Sequence, residues 1–481
     1  MSVCRWFRAV SWMCLLGAGQ VCAAPAGPRA ALDAVFAHPD FRRAVWACAV
    51  TDARTGAVVY ERRADEPVIP ASNQKLYTAA AAWLKAGPDD RAFTEYWRRG
   101  PLRDGVLDGD LEIRGFGAFC LTARFPRSRD VRERARALET QLDGVAGRLR
   151  TAGVREIRGR VTGDRSHWTD MPANPLYRSA DALLFHDNTL DVLVTNGVVA
   201  CCPSRLVGFT VERTPLVRRQ ERVMGASGPT DTIRVNPSVP DLDYWRLEAA
   251  DPCAYYATQV RAALEARGIR VGGGDVPEAT GEAQRLFRLP GLSLRELLPA
   301  MLTHSDNLRA EMVLLNLGYA AYGRASYANG TRACLEVLRE RGLVGAAFRP
   351  ADGCGLSLDN RVTCRDTVRL LTVMAAQSEG AAFREAMAIG GQTGTLDGRL
   401  KKDALKGRIQ GKSGTLSSVA ALSGYAQTAS GRTVCFSFVC NRIPDANRCW
   451  RAMEDALAIL CADSAGAPAP VMHTRPAGTG R

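Results

Sequence analysis

Apolar and polar positions change texture twice along this chain. Residues 29–38 carry a short helical pattern that stops at Pro39-Asp40. Residues 44–50 and 57–61, joined by the turn Asp52-Ala-Arg-Thr-Gly56, read as a β-hairpin. Beyond Pro67 and Pro70, Leu76, Ala79, Ala80, Trp83 and Leu84 recur at helical spacing and predict a helix over residues 73–85. Ser72 stands at the mouth of that helix, where backbone N–H groups have no intrahelical acceptor. From about residue 100 to 290 short apolar runs (111–113, 189–194, 206–211, 231–235) alternate with Gly, Pro and Asp. This predicts a strand-rich module with one clear helix, 256–267. Helical texture returns over 292–302, 307–317, 364–376 and 381–387. Residues 414–426 and 431–440 then read as neighbouring strands, and 449–460 as a last helix. Strands at both ends with helices between them predict one antiparallel sheet, in which the hairpin near residue 50 pairs with strands near 420 and 435. The middle of the chain is then an insertion.

At 481 residues the chain exceeds one ordinary core, and 46% hydrophobic with 23% charged residues excludes a disordered or collagen-like protein. The formal charge of +13 suits an anionic polymer, a membrane surface or nucleic acid, and composition does not choose among them. Only six of the 63 basic residues are lysines, so a lysine inside a motif is informative. Arg5 and Arg8, the apolar run 9–21 and Val21-Cys22-Ala23 form a secretory signal pattern with a cut after Ala23; uncleaved, the same segment would be an N-terminal anchor. No later stretch reaches the roughly 18–20 apolar residues that span a bilayer, so the body is expected to be exported and soluble, in the periplasm or cell-envelope space. Twelve cysteines remain after residue 23, and one or two disulfides are expected within Cys201, Cys202 and Cys253 or within Cys435, Cys440, Cys449 and Cys461. The five histidines show no zinc-ligand spacing. Residues 464–481 read as a polar tail without a core.

Three short constellations carry chemistry. In Ser72-Asn73-Gln74-Lys75 the two ends lie three apart on one helical face, so the Lys75 amine can reach the Ser72 hydroxyl. Serine is a poor nucleophile until a base takes its proton, and a lysine neutralised by burial can do so. Ser305-Asp306-Asn307 precedes a helix containing Glu311; any of the three can cap it, while Ser305 can relay a proton near Lys75 and Asn307 can grip lysine or substrate. Lys412-Ser413-Gly414-Thr415 offers a positive charge, two hydroxyls and a glycine that lets backbone approach a ligand. Each motif alone is weak. Ser-x-x-Lys, Ser-x-Asn and Lys-[Ser/Thr]-Gly in this order form the signature of active-site serine penicillin-recognising enzymes.

With these motifs the chain resembles the class C low-molecular-mass penicillin-binding proteins, D-alanyl-D-alanine carboxypeptidases and endopeptidases. The likeness rests on Pro70-Ala-Ser-Asn-Gln-Lys-Leu-Tyr-Thr78, Met301-Leu-Thr-His-Ser-Asp-Asn-Leu-Arg-Ala-Glu311, Asp352-Gly-Cys-Gly-Leu-Ser357 with Asn360-Arg-Val-Thr363, and residues 411–415. The 230-residue interval from Lys75 to Ser305 also matches that family's large insertion. The resemblance implies an α/β (α+β) penicillin-binding transpeptidase/β-lactamase-like domain, an antiparallel sheet flanked by helices, built from residues 24–99 and 291–463. A strand-rich insertion occupies 100–290. It implies a serine acyl-transfer mechanism with Ser72, Lys75, Ser305 and Asn307 as catalytic residues, and Lys412, Ser413, Gly414 and Thr415 binding the substrate carboxylate and oxyanion. Gly163-Asp164-Arg-Ser-His-Trp168 resembles a segment reaching toward the cleft. By that likeness Asp164 contacts the stem-peptide amine and Trp168 walls its pocket, while Asp187-Asn188 is structural. Peptidoglycan peptides are the implied partners and β-lactams the implied covalent inhibitors, with no cofactor, metal or nucleic acid. Peripheral association with wall or membrane and oligomer formation stay open.

The chain departs from the family pattern at Ser413, usually threonine, and at Cys354, usually serine, which is expected to alter the cleft wall. Leu358 stands where some members have arginine, and residues 115–120 lack the expected Asp-Pro loop. The alternatives are a β-lactamase, which the long insertion opposes, and a wall-binding protein with a decayed site, suggested by Cys354 and Leu358.

Overall fold

The structure is a computed structural model, described for residues 28–124, 130–168, 180–196, 198–205, 209–217, 221–224, 231–238, 242–273, 283–443 and 445–462. The expected signal segment 1–23 and the expected tail 464–481 lie outside the described residues. A six-stranded sheet organises the two ends of the chain, outside residues 100–290. Helix α1 (Pro28–Phe36) leads into β1 (Val45–Asp52) and β2 (Val58–Arg62), the expected hairpin. Helix α2 (Gln74–Ala86) follows; after the insertion come α3 (Leu294–Leu302), α4 (Asn307–Tyr322), α5 (Tyr327–Glu340) and α6 (Cys364–Ala375). Strands β3 (Ala388–Ile389), β4 (Ile409–Leu416), β5 (Val419–Gln427) and β6 (Thr433–Asn441) precede α7 (Ala446–Cys461). The strand order is β3-β4-β5-β6-β1-β2, antiparallel throughout. Val45 pairs with Asn441 and Asp52 with Val434, so the two ends of the domain close on each other.

Both faces of this sheet are buried, which is why its inner strands read as continuous apolar runs. In β1, Ala47 and Ala49 face the core under α2, α4 and α6, whereas Trp46, Cys48 and Val50 face a second core closed by Leu32 and Phe36 of α1 and by Trp450, Met453 and Leu457 of α7. The insertion is entered and left through paired strands, Arg91–Arg99 against Ala283–Ser293. Asp110–Gly115 and Val161–Asp164 extend that sheet, and the helices Val131–Thr151 and Pro252–Ala266 enclose a core of the insertion's own. A smaller core lies under two three-stranded sheets farther along.

Four points of the sequence reading need correction. The insertion has a second long helix, Val131–Thr151, whose buried Val131, Leu138, Leu142, Val145 and Leu149 recur at helical spacing but are outnumbered by polar and charged neighbours. Helix α5 was likewise not predicted. Residues 414–426 are parts of two strands: β4 turns between Leu416 and Val419 into β5, and it begins at Ile409, so Lys412 lies inside β4 rather than ahead of the strand. The expected disulfides are not formed, the twelve cysteines among the described residues being thiols. Cys201 and Cys202 are consecutive on one strand and face different cores, while the Cys440 and Cys449 thiols share a hydrogen bond. Among the described residues no helix is long and apolar enough to cross a membrane.

Candidate active site

The three motifs meet where α2, the loop before α4 and strand β4 converge. A short 3₁₀ turn, Ala71–Asn73, presents Ser72 just ahead of α2. Ala71 has φ +47°, a left-handed conformation unusual for alanine and typical of strained functional turns. Two neighbours hold it there. Gly355, at φ +90°, packs so tightly that a Cβ would lie 1.9 Å from the Ala71 carbonyl oxygen, and a Cβ on Gly414 would lie 2.9 Å from the Ser72 backbone nitrogen. Glycine at 414 thus keeps β4 against the Ser72 N–H. Gly414→Ala should push the strand away and slow penicillin acylation about 100-fold, the scale of losing one oxyanion donor; stopped-flow acylation kinetics check it.

Lys75 is fully buried in the first turn of α2, and its Nζ lies 3.0 Å from Ser72 Oγ. It donates to Asn307 Oδ1 at 2.8 Å and to the Cys354 carbonyl at 2.7 Å. Burial pushes its pKa below the ordinary lysine range, opposed by the negative field of Cys354, Glu311, Asp352 and Asp306. Across the cleft Lys412, also fully buried, donates to Ser305 Oγ at 2.9 Å and to the Ser413 carbonyl at 2.5 Å. Its pKa falls well below normal through burial and then the charge of Lys75. Ser305 adopts φ +60°, and Asp306 is the residue that caps α4, accepting from the Arg309 N–H at 3.0 Å. Ser413 Oγ donates to Thr395 Oγ1 at 2.6 Å, and Thr415 is exposed at the outer end of the motif.

Ser72, Lys75, Ser305, Asn307, Lys412, Ser413 and Gly414 are therefore gathered in one place, with Thr415 beside them. No hydrogen bond or ion pair joins Asp164 to this cluster. It ends the strand Val161–Asp164, half-buried, 3.4 Å from Arg114 and accepting from the Ser166 N–H at 2.8 Å. Trp168 is 8% exposed and packed in the main core close to Gly117. Cys354 does not line the cleft. Its side chain is buried and its contribution is the backbone carbonyl, which serine would supply equally. Leu358 is 55% exposed.

Sequence reasoning missed the groups behind the lysine. Glu311, on α4 one turn after Asn307, accepts from the N–H groups of Gly353 at 3.2 Å and Cys354 at 2.7 Å. Asp352 accepts from Gly355 at 2.7 Å and Ser357 at 2.6 Å, and Asn360 braces it at 2.8 Å. The signal was present in the quoted segments, but acceptors of backbone N–H groups leave no spacing rule in a sequence.

The sequence profile of the D-Ala-D-Ala carboxypeptidase 3 (S13) family matches residues 28–200 and 214–463. The chain belongs to that family. A D-alanyl-D-alanine carboxypeptidase of Actinomadura sp. (strain R39) is 29% identical, over 95% of this chain and 89% of that protein. Carboxypeptidase DacB of Mycolicibacterium smegmatis is 27% identical, over 90% and 83%. The fold matches that of penicillin binding protein 4 (dacB) from Haemophilus influenzae with a TM-score of 0.68 at 21% identity, covering 89% of this chain and 98% of that one. The family assignment read from the motifs stands. With it stands the enzyme class: a serine-type D-Ala-D-Ala carboxypeptidase/endopeptidase of peptidoglycan, with β-lactams as covalent inhibitors.

Proposed function

We propose that Ser72 is the nucleophile of this S13 enzyme and Lys75 its general base. The reading is carried by the three contacts of Lys75 Nζ. A neutral amine has two N–H donors and one lone pair. The Asn307 amide oxygen and the Cys354 carbonyl can only accept, so they take the two N–H groups and leave the lone pair for the Ser72 hydroxyl. Ser72 Oγ then attacks the carbonyl between the last two D-alanines and passes its proton to Lys75. The tetrahedral intermediate sits between the backbone N–H groups of Ser72 and Thr415. As the C–N bond breaks, the proton returns by way of Ser305 to the departing amine, leaving an acyl ester on Ser72. Water cleaves that ester, regenerating the serine and releasing the shortened peptide. A β-lactam forms the same ester by ring opening, and its amine stays tethered.

Lys412, Ser413 and Thr415 orient the terminal carboxylate, and Asp164 receives the amine of the stem diamino acid, exchanging Arg114 for it. Residues 24–99 with 291–463 form the catalytic domain, 100–290 the insertion, and the leader 1–23 directs export to the cell-envelope space. Intact mass spectrometry after penicillin exposure tests the core of this: one adduct on the native protein and none on Ser72→Ala. An adduct that survives the substitution refutes Ser72. Asp164→Ala should raise KM for diamino-acid stem peptides several-fold with penicillin acylation unchanged; an unaltered KM removes it from the site.

A further inference from the structure

The aim of the Lys75 amine depends on one backbone carbonyl, and that carbonyl is held from behind. Asn307 and Glu311 lie four residues apart on α4 and thus on one face of it. Asn307 touches the lysine directly. Glu311, 1% exposed, places one carboxyl oxygen on the Gly353 N–H and the other on the Cys354 N–H. The carbonyl of that same Cys354 receives Lys75. The loop has no slack, because Gly355 abuts Ala71 and Thr78 Oγ1 of α2 donates to the Gly353 carbonyl at 2.9 Å.

We propose that Glu311 is a positioning residue for Lys75, fixing the Cys354 carbonyl and setting the charge field in which the amine sheds its proton. The inference rests on the assignment of Ser72 and Lys75 above. The titratable groups facing this pair are Asp352 and Cys354 from the loop, Tyr327 at the start of α5, Asp306 before α4 and Lys412 from β4. Burial and Asp352 push the Glu311 carboxyl up to about 7. Above that pH it is an anion close to the base, and its field favours the protonated lysine. Glutamine at 311 keeps the shape, removes the charge and sets an NH₂ group against a backbone N–H.

The test is the second-order rate constant for acylation by a fluorescent penicillin, measured against pH for native protein, Glu311→Gln and Glu311→Asp, with thermal unfolding alongside. Glu311→Gln should acylate about 30-fold more slowly, the scale of a misplaced base. The pH at which its rate rises should also move lower by about one unit, since the opposing negative charge is gone. Glu311→Asp keeps the charge but retracts it by one methylene, so its rate should fall while its pH profile stays in place. A Glu311→Gln profile at the native pH, whatever its rate, overturns the proposal, because a merely structural role lowers the rate evenly. Should the glutamine variant not fold, Glu311→Asp decides: a rate within about twofold of native overturns it. Native protein that takes no penicillin would instead refute the assignment of Ser72 and Lys75 beneath it.

Discussion

Lys75→Met is expected to lower the rate of penicillin acylation by about 10⁴-fold, the scale seen when the base of a nucleophile–base pair is removed. Methionine fills the lysine's volume without a proton acceptor. The Asn307 amide oxygen and the Cys354 carbonyl each lose a donor, which costs about 1–3 kcal/mol apiece in a buried site. The protein should therefore fold with a lowered Tm while its chemistry is lost. The pH dependence separates a base from a scaffold. Because burial lowers the Lys75 pKa, the native acylation rate should climb with pH as the amine loses its proton, reaching its plateau below the 10.5 of an ordinary lysine. In Lys75→Met that climb should vanish, leaving a low, flat profile. A methionine variant that keeps a tenth of the native rate, or the same pH-dependent rise, would exclude Lys75 as the base. Stopped-flow fluorescence from pH 5 to 10 gives both readings.

What the sequence disclosed and what it withheld divide along physical lines. Ser72 and Lys75 were legible because a helix fixes the offset at which two side chains meet. The motif at Lys412 was legible because a glycine beside two hydroxyls marks a backbone approaching something closely. Their meeting in space was legible only through the order of three motifs and the family that order resembles. Four strands of the sheet followed from apolar runs at both ends of the chain, since strands buried on two faces have no polar side to confuse the reading; the two-residue strand Ala388–Ile389 and the turn that splits β4 from β5 did not. Val131–Thr151 escaped because it buries one stripe and shows solvent a wider face of arginine and glutamate. The surroundings of Trp168 were hidden for a different reason: its packing beside Gly117 in the main core joins residues distant in sequence, and no local spacing announces that. Glu311 and Asp352 stayed hidden because their partners are backbone N–H groups of a loop, whose positions no periodicity predicts.

Asp187→Ala is expected to cost about 3 kcal/mol of stability, because the buried Arg309 loses one of its two carboxylate partners. Asp187 belongs to the insertion and is fully buried, as is Arg309 of α4, which donates to it at 3.0 Å and to Asp306 at 3.0 Å. Thr122 donates to the other Asp187 oxygen at 3.0 Å, Arg124 lies 3.6 Å away, and Arg124 and Arg134 converge on Asp191 at 2.5 Å each. Asp306 caps α4 in the Ser305-Asp306-Asn307 loop, so this chain of charges fastens the insertion to the loop that holds Ser305 against Lys412. Burial alone would raise the Asp187 pKa, but Arg309, Arg124 and His186 overcome it and hold the carboxyl below the usual range. A carboxyl depressed on folding stabilises fully above its unfolded pKa of about 4 and loses that contribution as pH falls through the folded value. His186, buried beside Asp191 with its pKa lowered by burial, begins the acid loss earlier, because below about 6.5 the unfolded chain takes up a proton that the folded one resists. Urea unfolding of native protein from pH 8 down to 3 should show stability falling below about pH 6.5 and more steeply below 4, with Asp187→Ala lacking much of the second loss. Arg309→Met in the Asp187→Ala background should restore part of the lost stability, since methionine leaves no buried charge short of a counter-charge. A double variant no more stable than Asp187→Ala would show that the pair is not the unit joining insertion and catalytic loop.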